Sequence, residues 1–358
     1  MTGYARRQES TTEPYGAGDM SDIFDKISAA GAHRVMLLND QASGLRAIIA
    51  LDELTLGPAC GGIRTQPYAT FGDALADVAR LSAAMTLKCA IAGVDAGGGK
   101  TVVIDHPQMD RAAAFRRLGR YINDLGGLYR AAGDLGTSLE DLLHAAEETD
   151  YVDTTGAQLG EATGIGIVNC IRACALYRDI RDLGSLTIAV QGCGLIGAGV
   201  ARSMAQQGAT VVVADVDPAR AAQLASEIGG TSIGADQILM TDADIVAPCA
   251  VGGILTEEVV AGMKAWAICG GANNQLASPV VGTLLAERGI AYVPDFLASA
   301  GAVIDGATRS LMHIDRAPLL AQMEGTALAI LATARDQQRP TTDVARDMAV
   351  ARIAAAKG

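Results

Sequence analysis

Residues 187–201 read TIAVQGCGLIGAGVA, and most of the fold follows from them. A β-branched run from Thr187 to Val190 feeds Gly192, Gly194 and Gly197, spaced Gly-x-Gly-x-x-Gly, and a helical run follows. Glycine permits the tight turn and lets the backbone approach a pyrophosphate, which then rests on the positive helix N-terminus. The competing reading is an ordinary strand-to-helix turn, because glycine-rich turns are frequent. Context favours the dinucleotide: the next strand, VVVAD, ends in Asp215, 18 residues beyond Gly197. A ribose-binding carboxylate is expected at ~20. It would repel a 2′-phosphate, so NAD is favoured over NADP. Asp217 is a second candidate for that role, and Arg220 weighs the other way.

Working outward, helix and strand alternate over 164–181, 186–190, 195–207 and 210–214 and on to about Val293, with a strand over 265–269. Such alternation implies parallel crossover units and a doubly wound sheet. Upstream, β-rich runs at 34–38 and 46–51 flank the turn-rich NDQASG, which suggests a hairpin. A glycine-rich stretch at 57–62 precedes a helix over 71–85, where Leu75, Val78, Ala79 and Ser82 recur at helical spacing. A strand over 101–104 and helices over 111–125 and 137–148 complete this unit, with Thr137 and Glu140 spaced as a capping box. Beyond Gly301 the pattern is helical, including 317–336 and 342–355. The expected organisation is a flexible lead-in at 1–20, an α/β substrate domain at 21–155 and a dinucleotide domain at 156–320. C-terminal helices at 321–358 pack back on the first domain, and a cleft separates the two domains.

Composition narrows the function. At ~150 residues per domain, 358 residues make roughly two domains. Half of the chain is hydrophobic, enough for a full core, and the net charge of −12 lacks the basic footprint of a nucleic-acid or anionic-membrane binder. The seven cysteines include no Cys-x-x-Cys pair and mostly sit in apolar runs, so they read as buried small hydrophobes in a reducing compartment. The four histidines are isolated, and no metal site is expected. The N-terminus has no apolar signal region, and no uncharged apolar run approaches the ~20 residues of a bilayer span. A cytoplasmic location is expected.

The most unusual stretch is MTLKCAIAGVDAGGGKTVVID, residues 85–105. Gly99, Lys100 and Thr101 mimic the end of a phosphate loop, but Val94 stands where that motif needs glycine. Lys88 and Lys100 both lie in apolar surroundings. Lining one pocket, each would disfavour the other's charge, and desolvation would act the same way, leaving an amine able to accept a proton near neutral pH. Two snorkelling surface lysines are the alternative. Asp134, in YRAAGDLGTSLED, either supports the N-terminus of the helix that follows or relays protons beside Lys100. Asn273 and Asn274, in CGGANNQL, follow the strand over 265–269 at the carboxyl edge where doubly wound sheets bind ligands; turn formation is their alternative role.

These segments resemble the glutamate/leucine/phenylalanine/valine dehydrogenases, most closely the leucine, valine and phenylalanine branch. The resemblance is carried by GPACGGIR, MTLKCA, GGGKTVV, GDLGTSLEDL, VQGCGLIG, APCA, GGANNQL and PDFLASAG, in family order over about residues 33–310. It implies a Rossmann-type C-terminal domain and NAD-dependent, reversible deamination of an L-amino acid to a 2-oxo acid and ammonium. Lys88 then corresponds to the lysine for the substrate carboxylate, Lys100 to the catalytic lysine and Asp134 to the proton-exchanging aspartate. The cofactor set is Gly192, Cys193, Gly194, Leu195, Ile196, Gly197 and Asp215, with Thr163 and Asn273 toward the nicotinamide. Asn274 falls near the substrate, and Cys60, Gly61, Ala132, Val303 and Gly306 fall in the side-chain pocket. A homo-oligomer is implied.

Three features depart from the family pattern: a shorter loop between Asp153 and Thr163, Ser299 where asparagine is usual, and Ala302 where glycine is usual. Gly306 removes a side chain from the pocket and points to a large aliphatic or aromatic substrate. Two alternatives stand: a different NAD-dependent dehydrogenase, disfavoured by the absence of a histidine in any glycine-rich motif, and a non-enzymatic NAD-binding regulator, which would need neither lysine.

Overall fold

A computed structural model describes residues 18–155 and 157–358. The first half runs α1 (Gly18–Ala29), β1 (Arg34–Asp40), β2 (Leu45–Leu51), β3 (Ala59–Gln66) and α2 (Phe71–Ile91). It continues with β4 (Gly97–Ile104), α3 (Arg111–Asp124), β5 (Tyr129–Gly133) and α4 (Leu139–Ala146). Its sheet has the order β1-β2-β4-β3-β5. The expected hairpin is present, with Arg34 opposite Leu51 and Asp40 opposite Leu45, and β3 runs parallel to both β4 and β5.

The second half contains α5 (Ala157–Tyr177), β6 (Thr187–Gln191), α6 (Leu195–Gln206), β7 (Thr210–Ala214), α7 (Pro218–Ile228), β8 (Thr231–Ser232) and β9 (Ile245–Pro248). Then come α8 (Glu257–Gly262), β10 (Ala267–Ile268), α9 (Pro279–Glu287), β11 (Ala291–Tyr292), α10 (Asp295–Ala298), α11 (Gly301–Ala307), α12 (Ala317–Gln337) and α13 (Thr341–Ala355). Its six strands are all parallel, in the order β11-β10-β9-β6-β7-β8. The chain reverses direction across the sheet between β6 and β9. Ligands of open parallel sheets lodge at that switch point.

Several expectations need correction. The lead-in at 1–20 is shortened, since Gly18 to Met20 open α1; residues 1–17 lie outside the described residues. The glycine-rich stretch enters the interior strand β3 at Ala59. The strand β5 had no counterpart in the sequence reading. The capping box of α4 is Ser138 with Asp141, one residue beyond the expected pair, because those two side chains close the reciprocal bonds to backbone N–H. The helix expected from Gly164 begins at Ala157, so Thr163 lies within α5.

The room left by the run Gly97-Gly98-Gly99 is filled by the protein itself. A Cβ at Gly98 would stand 2.2 Å from Ser82 O and 2.3 Å from Thr86 N, both on α2. At Gly97 it would meet Glu53 O at 2.1 Å, and at Gly99 the Tyr129 ring at 2.9 Å. Glycine thus lets α2 lie directly on β4, which brings Lys88 and Lys100 to one region.

α13 docks beside the end of α2. Its Arg352 donates to Val94 O at 2.8 Å and Gly93 O at 3.1 Å, and pairs with Asp95 at 2.6 Å. Among the described residues α12 alone has the length and hydropathy of a membrane span. Its buried stripe, including Leu320, Met323, Ala327 and Ile330, packs in the main core, and Glu324 lies 3.7 Å from Arg172 on α5. It reads as a core helix.

Candidate active site

Three strands and one helix converge on two lysines. Lys100, on β4, is only 6% exposed. Its Nζ lies 2.8 Å from Oδ2 of Asp134, just past β5, and Arg64 Nε on β3 donates to the same oxygen at 2.9 Å. Gly62 makes this approach possible, since a Cβ there would sit 2.8 Å from Asp134 Cβ and 3.1 Å from Lys100 Nζ. Burial pushes Lys100 below the ordinary lysine range, against the pull of Asp134. Burial alone would raise Asp134, but Lys100 and then Arg64 outweigh it and hold its carboxyl below its ordinary value. Helix support is therefore not the task of this carboxylate: Ser138 caps α4, and Asp134 faces the lysine.

Lys88, in the last turn of α2, reaches across to the second half. Its Nζ donates to Asn273 Oδ1 at 3.0 Å and Ser299 Oγ at 2.9 Å. Burial again pushes the amine down, Asp295 draws it up, and Lys100 repels its charge. Of the two asparagines, Asn273 meets Lys88. Asn274 takes the left-handed conformation at φ +52, and its N–H donates to Asp295 Oδ2 at 2.7 Å. Asparagine is among the few side-chain-bearing residues that tolerate that conformation. α10 and α11 both touch α2, and α11 also touches β3, so the cleft is bounded by both halves.

The residues expected to line the side-chain pocket come from both halves. Cys60 is buried on β3, its thiol pushed up to about 12 by burial. Ala132 on β5 pairs with Gly62. Gly61 packs against β4, since its Cβ would fall 1.6 Å from Gly99 O; here glycine answers a need of the sheet. Val303 and Gly306 lie on α11. A Cβ at Gly306 would meet only Asp153 Oδ2, at 3.8 Å, and Asp153 is paired with Arg309 at 3.0 Å.

The glycine loop after β6 has the geometry of a dinucleotide cradle. Gly192 takes φ +92 and lies against Ala250 of the loop after β9. A Cβ at Gly197 would fall 1.9 Å from Gly192 O, so the helix packs on the turn, whereas one at Gly194 would meet nothing within 4 Å. Gly194 caps α6 without a side chain, and Leu195 beside it is 68% exposed, leaving the helix N-terminus open for an anion. Cys193 is buried and Ile196 half-buried. Asp215 directly follows β7 and accepts from Cys193 N at 2.7 Å and Asp217 N at 2.9 Å, with Arg220 at 3.5 Å. Asp217, the second candidate for the ribose, caps α7 by accepting from Ala219 N at 3.0 Å. Thr163, 3% exposed on α5, lies near Gly271 and Gly301. Both the loop and the carboxylate fit a nicotinamide dinucleotide.

Sequence reasoning missed Arg64, which shares Asp134 with Lys100, and treated Ser299 only as a departure. The one available signal for Arg64 was a cation directly after Cys60, Gly61, Gly62 and Ile63 in an otherwise small and apolar run.

Comparison with known proteins agrees with this arrangement. Residues 32–151 match the family model described as Glu/Leu/Phe/Val dehydrogenase, dimerisation domain, and residues 219–357 match Glutamate/Leucine/Phenylalanine/Valine dehydrogenase. Residues 187–249 match the NAD binding domain of 3-hydroxyacyl-CoA dehydrogenase. The chain is 38% identical over 296 residues to phenylalanine dehydrogenase of Lysinibacillus sphaericus, covering 79% of this chain and 77% of that one. It is 37% identical over 292 residues to leucine dehydrogenase of Geobacillus stearothermophilus, covering 79% and 80%. The crystal structure of L-tryptophan dehydrogenase from Nostoc punctiforme superposes with a TM-score of 0.85 at 33% identity, covering 93% of this chain and 99% of that one.

Proposed function

The chain belongs to the Glu/Leu/Phe/Val dehydrogenase family, and on that premise we propose that it catalyses reversible, NAD-dependent oxidative deamination of an L-amino acid with a large aliphatic or aromatic side chain, giving the 2-oxo acid and ammonium. The observation that carries the reading is the meeting of Lys100 with Asp134 at 2.8 Å, beneath a cleft that Lys88 bridges to Asn273 at 3.0 Å.

Gly192, Gly194, Gly197 and Asp215 would hold the dinucleotide, with Thr163 and Asn273 toward its reactive ring. A nicotinamide held there would supply the acceptor for the hydride that leaves the substrate α-carbon. Lys88 meets the substrate carboxylate in place of the Asn273 and Ser299 oxygens, and that carboxylate returns the counter-charge that burial denies the lysine. Asp134 exchanges protons with the substrate nitrogen. Lys100, once it has released its proton, deprotonates water as the water adds to the imine carbon, and its ammonium form then stabilises the negative charge that develops on oxygen. Closure of the two halves excludes water from the hydride path.

The carboxylate of Asp215 supports NAD over NADP. The edge strand β1, with Leu37 50% exposed, and a first half that matches a dimerisation domain support a homo-oligomer. Seven free cysteines, six of them buried, support a reducing, cytoplasmic compartment. A screen of the twenty L-amino acids by NADH absorbance at alkaline pH tests the reading. Turnover should be greatest with large aliphatic or aromatic substrates. NADH formation with none of them contradicts it, and equal use of NADP contradicts the part given to Asp215.

A further inference from the structure

Behind the lysine–aspartate pair runs a chain of charges that the deamination chemistry leaves unused. Arg64, its side chain 18% exposed, spans two carboxylates. Nε donates to Asp134 Oδ2 at 2.9 Å, and Nη1 donates to Asp77 Oδ2 at 3.2 Å. Asp77, on α2, also accepts from Tyr68 Oη at 2.8 Å and from Arg80 Nη2 at 2.6 Å. Lys100 meets the same oxygen of Asp134 that Arg64 does.

A buried lysine with a single carboxylate partner is held in its charged form, because losing the proton strands the anion. A guanidinium keeps its charge throughout the working range. With Arg64 present, Asp134 therefore retains a counter-charge whether Lys100 is ammonium or amine. The other groups facing the pair act more weakly. From α2, Lys88 repels Lys100, while Asp77 draws Lys100 toward its charged form, with part of the Asp77 charge absorbed by Arg80 and Tyr68. Asp295 on α10 acts on Lys88. The Cys60 thiol and the Tyr129 hydroxyl stay protonated, both raised by burial.

We propose that Arg64 is a positioning residue for this pair: it fixes Oδ2 of Asp134 and supplies a permanent counter-charge, so that Lys100 cycles between ammonium and amine while the carboxylate stays ionised. The purpose of that cycling rests on the deamination reading; the test does not need turnover. Lys100 is titrated in the full chain by its rate of acetylation against pH, read by mass spectrometry with free lysine amide as internal reference. In the unmodified protein its midpoint lies well below the reference. Arg64→Gln raises the midpoint by about one pH unit, the effect of one adjacent charge. Arg64→Lys, which keeps the charge, returns it toward the starting value.

The acid limb of kcat/KM moves with the midpoint, so Arg64→Gln is about ten-fold slower at neutral pH and recovers above the new midpoint. A merely structural role would slow the reaction at every pH and leave the acetylation midpoint unchanged; that result in folded Arg64→Gln overturns the proposal. Should that variant fail to fold, the unmodified protein decides, because a Lys100 that titrates with the reference amine overturns it as well. A low midpoint raised by Arg64→Gln, in a protein that forms no NADH from any amino acid, supports this inference and removes the deamination reading instead.

Discussion

The two sheets build their candidate sites from different materials. In the parallel sheet the cradle is backbone: the φ of +92 at Gly192, the uncrowded Gly194 and the first turn of α6, steadied by one carboxylate, Asp215. In the mixed sheet the site is side chain: Lys88, Lys100, Asp134 and Arg64 on elements pressed together. Glycine serves both, for opposite reasons. Gly194 leaves space that points outward, whereas Gly98 leaves space that the protein's own α2 occupies. A glycine run therefore says only that something comes close; what comes close separates a binding loop from a packing seam.

Paired substitutions sharpen this contrast. Gly98→Ala forces α2 off β4 and should cost about 2 kcal/mol or more in denaturant unfolding, with a loss of turnover as Lys88 moves away. Gly194→Ala should leave stability unchanged and weaken cofactor binding in a fluorescence titration. Equal stability losses in the two variants would erase the distinction. Asp215→Ala should raise the Kd for NAD by about ten-fold, the loss of a hydrogen bond at a charged group, and relax discrimination against NADP. Gly306→Val should shift the substrate profile toward smaller side chains with little change in Tm, because its Cβ has room; an unchanged profile removes Gly306 from the pocket.

The smallest effect expected belongs to the docking of α13. Lys357 Nζ lies 2.6 Å from Glu53 Oε2, and that bond, followed by Thr55, holds the Glu53 carboxyl at about 2 instead of its ordinary 4.5. A lowered carboxyl contributes its stability in full above the ordinary value and loses it as pH falls toward the folded value. Glu53→Gln should therefore destabilise by no more than about 1 kcal/mol at pH 7, since both side chains are partly exposed. The difference should vanish near pH 2; a gap that persists there contradicts the assignment.

The legibility of the chain follows the same division. Crossover units announce themselves by alternation, and the Gly-x-Gly-x-x-Gly spacing with Asp215 is a local pattern, so the run from β6 to β7 could be read element by element and the strands and helices after it only as a class. β5 could not be read, because YRAAG offers small residues in place of a β-branched run and becomes a strand through its pairing with β3. Lys88 and Lys100 stood out because lysine is unusual in apolar surroundings. Arg64 did not stand out. A strand arginine reads as a snorkelling side chain, and one of its two partners lies 70 residues away in sequence. Local patterns reveal backbone sites; a site assembled from side chains of distant segments becomes visible only once the strands are paired.

Lys100→Ala, assayed for deamination and for NADH binding in the same preparation, tests the central claim most directly. Turnover should fall by about 10³-fold or more, on the scale of a lost general base, while NADH binds as tightly as before. Near-normal turnover in that variant would contradict the account.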